Sequence, residues 1–364
     1  MECSERPVWN RFSREELGQL EICIPDEQME KQVLKNWDAV AKPLDGMGRF
    51  ETLTAQIGGM TGSDRIDISK KAVIIMCADN GIVEEGVSQS GQEVTVAVAK
   101  AMAKKQSSVC RMAEVIGADT IPVDIGINRT TPIEGVLDRK IRCGTRNFRI
   151  ERAMTEEEAI RAIAVGIDMV YACRQKGYRI LATGELGIGN TTTSSAVAAA
   201  LLQCEPGEVT GRGAGLTDEG LLRKRQVITE ALKKYDLKYA DAVSVLTAVG
   251  GLDIAGLTGV CIGGALFRVP IVLDGVISMT AALLAERIAP GTKTYLLSSH
   301  KGKEPAVEML MKELGITPVI DGRMALGEGT GAVMMLSLLD MALSIYGGRT
   351  TFSDIQIEQY KRYQ

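Results

Sequence analysis

A glutamate in a glycine-rich turn, Glu328, has the side chain and the setting of a catalytic base. It lies in the segment Leu326–Ala332, LGEGTGA, between a short apolar run and a long apolar helical pattern. Glycines let the backbone adopt conformations that a Cβ forbids and let a ligand approach closely, and the start of the following helix presents unpaired N–H groups. Open α/β sheets bind ligands in such turns, at the carboxyl ends of their strands. A helix-capping glutamate in a purely structural turn would show the same pattern.

A second glycine-rich segment, Gly184–Thr193, joins a strand-like run to an alanine-rich helical pattern. Its three glycines, with Asn190 and Thr191 at the helix start, suit a cradle for phosphate or carboxylate. The spacing, G-x-x-G-x-G, is neither the dinucleotide fingerprint nor a P-loop, and a tight turn alone would explain it. Glu185 follows the strand directly, so two carboxylates with different roles could share one crevice with Glu328. A structural pair bonded to backbone amides is an equal alternative.

Two further segments carry cationic or titratable side chains. Gly211–Gly215, GRGAG, precedes a helix that carries Lys224, and Arg212 and Lys224 together suit an anion such as phosphate. A surface helix with solvated bases is the commoner explanation of that pattern. The single histidine, His300, ends a strand-like run beside two lysines and could act as a base. A hydrogen-bonded polar residue without a catalytic role explains it better.

The elements that must position these residues alternate between strand and helix. Near-continuous apolar runs predict strands buried on both faces of a parallel sheet, and the alternation predicts a doubly wound α/β fold. The predicted strands are Ala72–Cys77, Thr120–Val123, Arg179–Ala182, Val269–Leu273, Thr294–Leu297 and Ile316–Ile320. The predicted helices are about 94–114, 155–176, 191–203, 218–234, 276–288 and 303–314.

Polar residues follow each predicted strand at its carboxyl end. The groups are Asp79-Asn80, Asp124, Glu185, Asp274, Ser299-His300 and, after the last strand, Glu328. In a parallel sheet these ends open onto one edge. The sequence therefore predicts a single crevice lined by acids and backbone amides.

Both chain ends are expected to add a small helical domain. Asp26 can cap a helix whose Met29, Val33, Leu34, Trp37 and Val40 share one face, and Pro43 stops it. The tail, 353–363, is expected to complete a helical cap with it. The predicted division is residues 1–60 plus 346–364 for the helical domain and 61–345 for the catalytic domain.

Composition argues against several classes of protein. The 364 residues are 45% hydrophobic and 4% aromatic, and the formal net charge of −4 argues against a nucleic-acid surface. No apolar export segment opens the sequence, and the most apolar run, 255–267, is too short to cross a bilayer. Eight scattered cysteines without a CxxC pair are typical of reduced thiols in the cytoplasm. With one histidine and no clustered thiols, neither a metal site nor another cofactor is expected.

The motifs resemble those of nicotinate-nucleotide:dimethylbenzimidazole phosphoribosyltransferases. The segments that carry the resemblance are Gly184–Thr192, Val269–Gly275 and Leu326–Ala332, and collinear matches extend from about Lys42 to Ile345. The resemblance implies transfer of phosphoribose from nicotinate mononucleotide to 5,6-dimethylbenzimidazole, which makes the lower-ligand nucleotide of cobalamin. It also implies a homodimer whose large domain is Rossmann-like, with about six parallel strands, beside a small helical domain. The expected partners are therefore small molecules and a second copy, without nucleic acid or membrane.

The resemblance also implies roles for particular residues. Glu328 matches the general base that takes the N–H proton of the incoming base, and an apolar neighbour, Leu326, would keep it basic. Glu185 would assist and orient, and Lys224 would hold the phosphate. The remaining residues assigned to substrate binding are Leu186, Gly187, Ile188, Gly189, Asn190, Thr191, Gly213, Gly329, Ser90 and Gly91.

The segment around Ser90 and Gly91 departs from the family pattern where the family holds the acceptor base. That departure leaves open which base is preferred, with phenolic bases and adenine as alternatives to a benzimidazole. Two other functions stay open. An NAD-dependent dehydrogenase would need G-x-G-x-x-G after the first strand, where Asp79-Asn-Gly81 stands. A non-catalytic binder of the nucleotide would not require Glu328, Glu185 and Lys224 together.

Overall fold

A six-stranded parallel sheet forms the centre of the structure, a computed structural model that describes residues 12–348 and 350–362. The strands are β1 (Lys71–Ala78), β2 (Asp119–Gly126), β3 (Leu137–Asp138), β4 (Ile180–Leu186), β5 (Ile271–Leu273) and β6 (Leu296–Ser298). Their order across the sheet is β3-β2-β1-β4-β5-β6. The direction of progression reverses between β1 and β4, which is where a doubly wound sheet opens a ligand crevice.

Helices cover both faces of this sheet, as the doubly wound prediction requires. They are α1 (Arg14–Gly18), α2 (Glu27–Ala39), α3 (Arg49–Thr61), α4 (Glu93–Ala103), α5 (Ser108–Val115), α6 (Glu156–Gln175), α7 (Asn190–Leu202), α8 (Pro206–Val209), α9 (Asp218–Lys234), α10 (Ala242–Val249), α11 (Leu252–Phe267), α12 (Val276–Ile288), α13 (Ala306–Leu314) and α14 (Thr330–Gly347). Successive side chains of β1 point to opposite faces, so Ile74 and Met76 join one core and Val73 and Ile75 the other.

Five of the six predicted strands are confirmed, and the sixth is wrong. Residues 316–320 make only an isolated parallel bridge between His300 and Ile320. Pro318 lacks the N–H that a ladder needs, so this apolar run stays outside the sheet. The sixth strand is instead β3, the two-residue edge strand, which is too short and too polar to show an apolar pattern.

The helix predictions fail where the apolar pattern is continuous. The predicted helix 94–114 is two helices, α4 and α5, separated at Lys105, whose φ is +58°. The predicted helices omitted α10 and α11. Since α11 is buried almost throughout, it shows no polar face to set a period. It approaches α6 so closely that a Cβ at Gly259 would lie 1.9 Å from the Ile163 carbonyl oxygen.

The two chain ends pack together beside the sheet. Asp26 caps α2 as expected, accepting hydrogen bonds from the backbone N–H groups of Gln28 and Met29. A third apolar cluster joins Trp37 of α2 to Tyr346 of α14, with ring centroids 5.1 Å apart. The division into two domains stays a prediction.

The expected helix in the tail is wrong for its described part, residues 353–362. Asp354 accepts hydrogen bonds from both the N–H and the hydroxyl of Thr351, at 2.7 Å each, and this closes a tight turn. Gln356 then takes a φ of +57°, outside the helical region. Tyr363 lies outside the described residues.

Of the described helices, α14 alone is long and apolar enough to cross a bilayer by length and composition. Half of it is buried within the protein, where its apolar side chains pack against the sheet. A core helix passes the same test, and α14 has that place in this fold.

Candidate active site

A cavity of about 220 Å³ opens at the carboxyl edge of the sheet, next to the point where the strand order reverses. It is enclosed by the end of β4, the turns after β5 and β6, and the segment 324–328. Its lining residues of greatest chemical interest are Glu185, Asn190, Thr191, Asp274, His300, Glu304 and Glu328. Larger clefts elsewhere, such as one of about 450 Å³ between α3 and β6, do not bring the predicted site residues together.

The turn that carries Glu328 has an unusual backbone. Gly327, Glu328 and Gly329 have φ values of +82°, +62° and +96°. A positive φ is costly for a residue with a Cβ, so the surroundings must hold Glu328 in place. Its Oε2 accepts a hydrogen bond from the backbone N–H of Val109 at 3.2 Å, in the first turn of α5. The half-buried side chain of Glu328 is therefore tied to the start of α5 by one of its two carboxyl oxygens.

Asp274, which follows β5, holds the start of α14 in place by hydrogen bonds. Its carboxylate accepts backbone hydrogen bonds from Gly331 at 2.8 Å, Ala332 at 3.1 Å and Gly329 at 3.3 Å. Burial raises the pKa of Asp274, while His300, 4.0 Å away, and these N–H groups act in the opposite direction. A fixed helix start gives the Glu328 turn a fixed position in the cavity.

Glu185, the second predicted carboxylate, lies at the end of β4 against the same turn. The contact is close: a Cβ at Gly327 would lie 2.5 Å from Glu185 Oε1. The side-chain amide of Asn190 donates a hydrogen bond to Glu185 Oε2. Burial, reinforced by the negative charge of Asp253, raises the pKa of Glu185 to about 8. Near neutral pH this side chain is therefore mostly a carboxylic acid.

The sequence interpretation missed Asp253, in the first turn of α11. It is fully buried, and its Oδ2 accepts a hydrogen bond from Asn190 Nδ2 at 3.1 Å. Burial raises the pKa of Asp253 to about 7. The available signal was an acid directly after Gly250-Gly251 at the head of an otherwise apolar run.

Lys224 is buried completely, so the alternative explanation, a solvated base on a surface helix, is wrong at this position. Its Nζ donates a hydrogen bond to Thr191 Oγ1 at 2.8 Å and lies 3.7 Å from where a Cβ at Gly213 would be. Burial lowers the pKa of Lys224 to about 8, and Glu304 acts in the opposite direction. An ammonium group has three donors, and among the described residues Nζ makes one hydrogen bond, to the wall of the cavity. Such a group could hold an anion in the cavity.

The glycine-rich segment from Gly187 to Thr191 separates the main cavity from a smaller one of about 80 Å³. Gly189 has a φ of +93°, and a Cβ there would lie 2.7 Å from Val83. The helix α7 starts immediately after it, and the N–H groups of Asn190 and Thr192 bond back to Gly187 and Gly189, which leaves the N–H of Thr191 as the first-turn donor for a ligand at the cavity wall. The segment therefore has the geometry of an anion cradle as well as a tight turn.

The structure brings most of the predicted site residues together. Those that line the main cavity are Glu185, Leu186, Gly187, Ile188, Asn190, Thr191, Gly213, Leu326 and Glu328. Gly189 and Ser90 line the smaller cavity instead. Lys224 lies behind Thr191, while Gly329 starts the helix behind the turn. Gly91 lies on neither wall and packs against the side chain of Glu93.

The predicted crevice of acids is only partly right. Asp79 is buried behind the cavity and accepts a hydrogen bond from the Asn128 N–H at 2.8 Å. Asp124 forms an ion pair with Lys140 at 2.7 Å. These two acids hold loops rather than face the cavity, which lies on the β4–β5–β6 side of the sheet, whereas β2 lies on the other side of β1.

Among the described residues, one group of acids has the spacing of a metal site: Asp38, Asp45 and Glu51, near the chain ends. Arg362 contacts both aspartates at 2.7 Å, and Lys42 lies 2.6 Å from Glu51. The protein's own cations therefore occupy the positions that a metal ion would take.

Comparison with known proteins gives a consistent set of similarities. A family model described as "Phosphoribosyltransferase" matches residues 22–357. The nicotinate-nucleotide–dimethylbenzimidazole phosphoribosyltransferase of Clostridium perfringens (strain 13 / Type A) is 40% identical over 333 residues, 92% of each chain. That of Acetivibrio thermocellus is 44% identical, over 90% of this chain and 94% of its own. A crystal structure of such an enzyme from Thermus thermophilus matches with a TM-score of 0.86 at 33% identity, covering 92% of this chain and 100% of that chain.

Proposed function

This chain belongs to the nicotinate-nucleotide–dimethylbenzimidazole phosphoribosyltransferase family, and we propose that the main cavity is where it transfers phosphoribose. The donor is nicotinate mononucleotide and the acceptor is 5,6-dimethylbenzimidazole or a related aromatic base. The product is the α-riboside 5′-phosphate used to assemble the nucleotide loop of cobalamin. One observation carries the assignment: two differently placed glutamates line one cavity, and a buried ammonium without an ion pair among the described residues lies directly behind the Thr191 side of its wall.

Glu328 is the general base in this proposal. A ring nitrogen of the acceptor forms a bond to C1′ of the ribose, and the bond from C1′ to the nicotinate nitrogen breaks. The bonding electrons pass to the pyridinium nitrogen, which becomes neutral, and the N–H proton of the acceptor passes to Glu328. Because Val109 holds only Oε2 of the carboxylate, Oε1 is left to receive that proton.

Lys224 binds the 5′-phosphate in this proposal. The phosphate would replace Thr191 or join it as a partner of Nζ, and it would restore a counter-charge to a cation that burial has stripped of water. The Thr191 N–H, in the first turn of α7, adds a neutral donor to the same anion. The ribose then spans from Lys224 toward Glu328.

Glu185 assists beside the reacting carbon. As a carboxylic acid it can donate a hydrogen bond to a substrate oxygen, and it adds no second negative charge next to Glu328. That matters here because the donor nucleotide already carries a phosphate and a carboxylate. Its role is to orient the substrate while Glu328 takes the proton.

The acceptor base is proposed to lie under Leu326 and Leu186, the apolar residues of the cavity wall. Leu326 is 56% exposed, an unusual position for leucine unless a ligand or partner covers it. Ser90 lies in the smaller cavity, across the glycine-rich segment, so its effect on base choice would act through that segment.

A competition assay tests the function directly. The purified protein receives nicotinate mononucleotide and an equimolar mixture of dimethylbenzimidazole, benzimidazole, adenine, phenol and p-cresol, and mass spectrometry resolves the products. We expect a benzimidazole α-riboside phosphate as the main product. Phenolic or adenine products would shift the preferred acceptor while keeping the chemistry, and no product from any base would contradict the function.

A homodimer is part of the proposal. Three exposed apolar side chains, Met334, Met341 and Ile345, lie along one face of α14, the helix that starts beside Glu328. A second copy covering this face would also cover the rim at Leu326. Sedimentation of the wild-type protein and of Met341→Glu tests this, and a monomeric wild type would contradict it. The seven described cysteines are all unpaired, which supports a reducing, cytoplasmic location.

A further inference from the structure

Asp253 takes no part in the proposed proton transfer or in phosphate binding. It nevertheless lies next to Asn190, a residue of the cavity wall. Its side chain is completely buried in the first turn of α11, and no cation pairs with it among the described residues. Burying a carboxylate without a cation costs folding free energy. The position of Asp253 behind the wall of the proposed substrate cavity therefore points to a functional role. Its Oδ1 accepts a hydrogen bond from the Ile254 N–H at 3.0 Å, and its Oδ2 faces Asn190, which lines the cavity.

One amide group connects Asp253 to Glu185. Asn190 Nδ2 donates to Asp253 Oδ2 at 3.1 Å and also to Glu185 Oε2. An amide nitrogen has two hydrogens, so these two acceptors use both. The orientation of the amide, and with it the position of the Glu185 carboxyl, is therefore fixed by two carboxyl groups rather than one.

The surrounding backbone leaves no room for this network to relax. A Cβ at Gly187 would lie 2.9 Å from Asp253 Oδ2, and one at Gly251 would lie 2.4 Å from Asp253 Oδ1 and 2.6 Å from Asn80 Oδ1. Asn80 Oδ1 is itself buried and accepts no hydrogen bond among the described residues. Asn80 Oδ1 could accept a hydrogen bond from a protonated carboxyl group. Its lack of a partner therefore fits a network in which Asp253 and Glu185 share a proton.

We propose that Asp253 is a positioning residue: through the shared amide of Asn190 it orients the Glu185 carboxyl, and its charge adds to the burial that keeps that carboxyl protonated. The inference rests on the proposed phosphoribosyl transfer. A protonated Glu185 can donate a hydrogen bond to an oxygen of the donor nucleotide, whereas an ionised one would repel both the nucleotide's anionic groups and Glu328.

Several titratable or polar groups face Glu185 and set its protonation together. They are Asp253 from α11, Asn190 from α7, Asp274 after β5, the backbone N–H of Glu328 and, from β1, Cys77. Asp274 has His300 and the start of α14 as its partners, and Asp79 lies behind Asp253. Of the acids in this group, Asp253 has the largest effect on the pKa of Glu185.

The first test is a double-mutant cycle with wild type, Asp253→Asn, Glu185→Gln and the double variant. The rate kcat is measured with saturating nicotinate mononucleotide and dimethylbenzimidazole, so that bound phosphate keeps Lys224 charged across the pH range. We expect Asp253→Asn to lower kcat about tenfold or more in the wild-type background, and less than about twofold when Glu185 is already Gln. Equal losses in both backgrounds would overturn the inference.

The pH profile of kcat gives a readout that a purely structural role would not move. In the wild type, we expect kcat to fall as the pH rises through the pKa of Glu185, because the proton is lost. Removing the charge of Asp253 makes that proton easier to lose, so this decline moves to lower pH in Asp253→Asn. An unmoved decline would overturn the inference. Asp241→Asn, which removes the exposed cap of α10, is the control for lost stability and leaves the decline in place.

A spectroscopic measurement avoids the case in which Asp253→Asn does not fold. Isotope-edited infrared spectra of the wild type at pH 7 should contain the C=O band of a protonated glutamate, and Glu185→Gln should lack it. Absence of that band in the wild type would overturn the inference even if the enzyme is active. A wild type without transferase activity would instead overturn the proposed function, and the proposed role of Asp253 with it.

Discussion

Two clusters of charged residues in this protein are built in opposite ways. Near the chain ends, Arg362 contacts both Asp38 and Asp45, and Lys42 contacts Glu51, so every acid of this cluster has a cation as a partner, although the two aspartates share one. At the main cavity, Glu185 lines the wall, Asp253 and Lys224 lie buried behind Asn190 and Thr191, and none of the three has an ion pair among the described residues.

The electrostatic consequences differ in the same way. At the chain ends, hydrogen bonds to Arg362 lower the pKa of Asp45, which keeps the pair charged. In the cavity, burial raises the pKa of Glu185 to about 8 and lowers that of Lys224 to about 8. The acids of the first cluster have cations as partners within the protein. In the proposed function, the substrate would supply the partner that the second cluster lacks. Buried ionisable side chains that lack an ion pair are therefore a better guide to the functional site in this fold than ion-paired clusters are.

Among changes at the main cavity, Glu328→Gln is expected to have the largest effect on turnover. The amide cannot accept the acceptor's proton, so we expect turnover to fall about 10²- to 10⁴-fold. Binding of nicotinate mononucleotide should survive, because Glu328 lies away from Lys224. Single-turnover rates and calorimetric binding check this. Unchanged turnover would remove Glu328 from the mechanism, and the non-catalytic binding function would then explain the cavity.

The next largest effect is expected for Lys224→Met, which keeps the length and apolar stem of the side chain. Loss of a charged hydrogen-bond donor should reduce kcat/KM for nicotinate mononucleotide about 10- to 100-fold. The melting temperature should stay the same or rise, because a buried ammonium is no longer desolvated. Lys233→Met, on the exposed last turn of the same helix, is the matched control and should change neither quantity. A large fall in stability for Lys224→Met would make the lysine structural.

A smaller effect, visible only above neutrality, is expected from pH. Burial lowers the pKa of Lys224 to about 8, so the ammonium loses its proton as the pH rises through that value. Attraction for the phosphate is lost with it, and the KM for nicotinate mononucleotide should rise between about pH 7 and pH 9. Initial rates at varied donor concentration measure this. In Lys224→Met the KM should no longer change with pH, and a persisting rise would assign the titration to another group.

How far the sequence predicted this site depends on what the local pattern encodes. The glycines around Glu328 and in the segment Gly184–Thr193 mark turns directly, and continuous apolar runs mark the inner strands, so these predictions were close. The run 316–320 is apolar too, but it lies beyond the last strand and contains Pro318, whose missing N–H does not show in an apolar pattern.

The misses share one physical cause, which is contact between distant parts of the chain. The family resemblance did point to Lys224, but the local pattern of a lysine between two arginines fits a solvated base equally well, and only the packing of α9 decides that it is buried while Arg223 is exposed. Asp253 contacts Asn190, 63 positions earlier, across the switch point of the sheet. Neither contact leaves a period or a local motif in the sequence, so neither could be predicted from it.

The smallest effect is expected from breaking the chain-end cluster with Arg362→Met. The arginine is half exposed, and solvent screens the two aspartates that it leaves behind. We therefore expect little change in melting temperature and none in kcat/KM, in contrast to Lys224→Met, although both variants remove one cation. Thermal melting and steady-state kinetics on the two variants make the comparison directly. A strong loss of activity in Arg362→Met would mean that the chain ends act on the cavity, which a second copy of the chain could bring about. It would also mean that charged residues in ion-paired clusters contribute to function in this fold, as those without ion pairs are proposed to do.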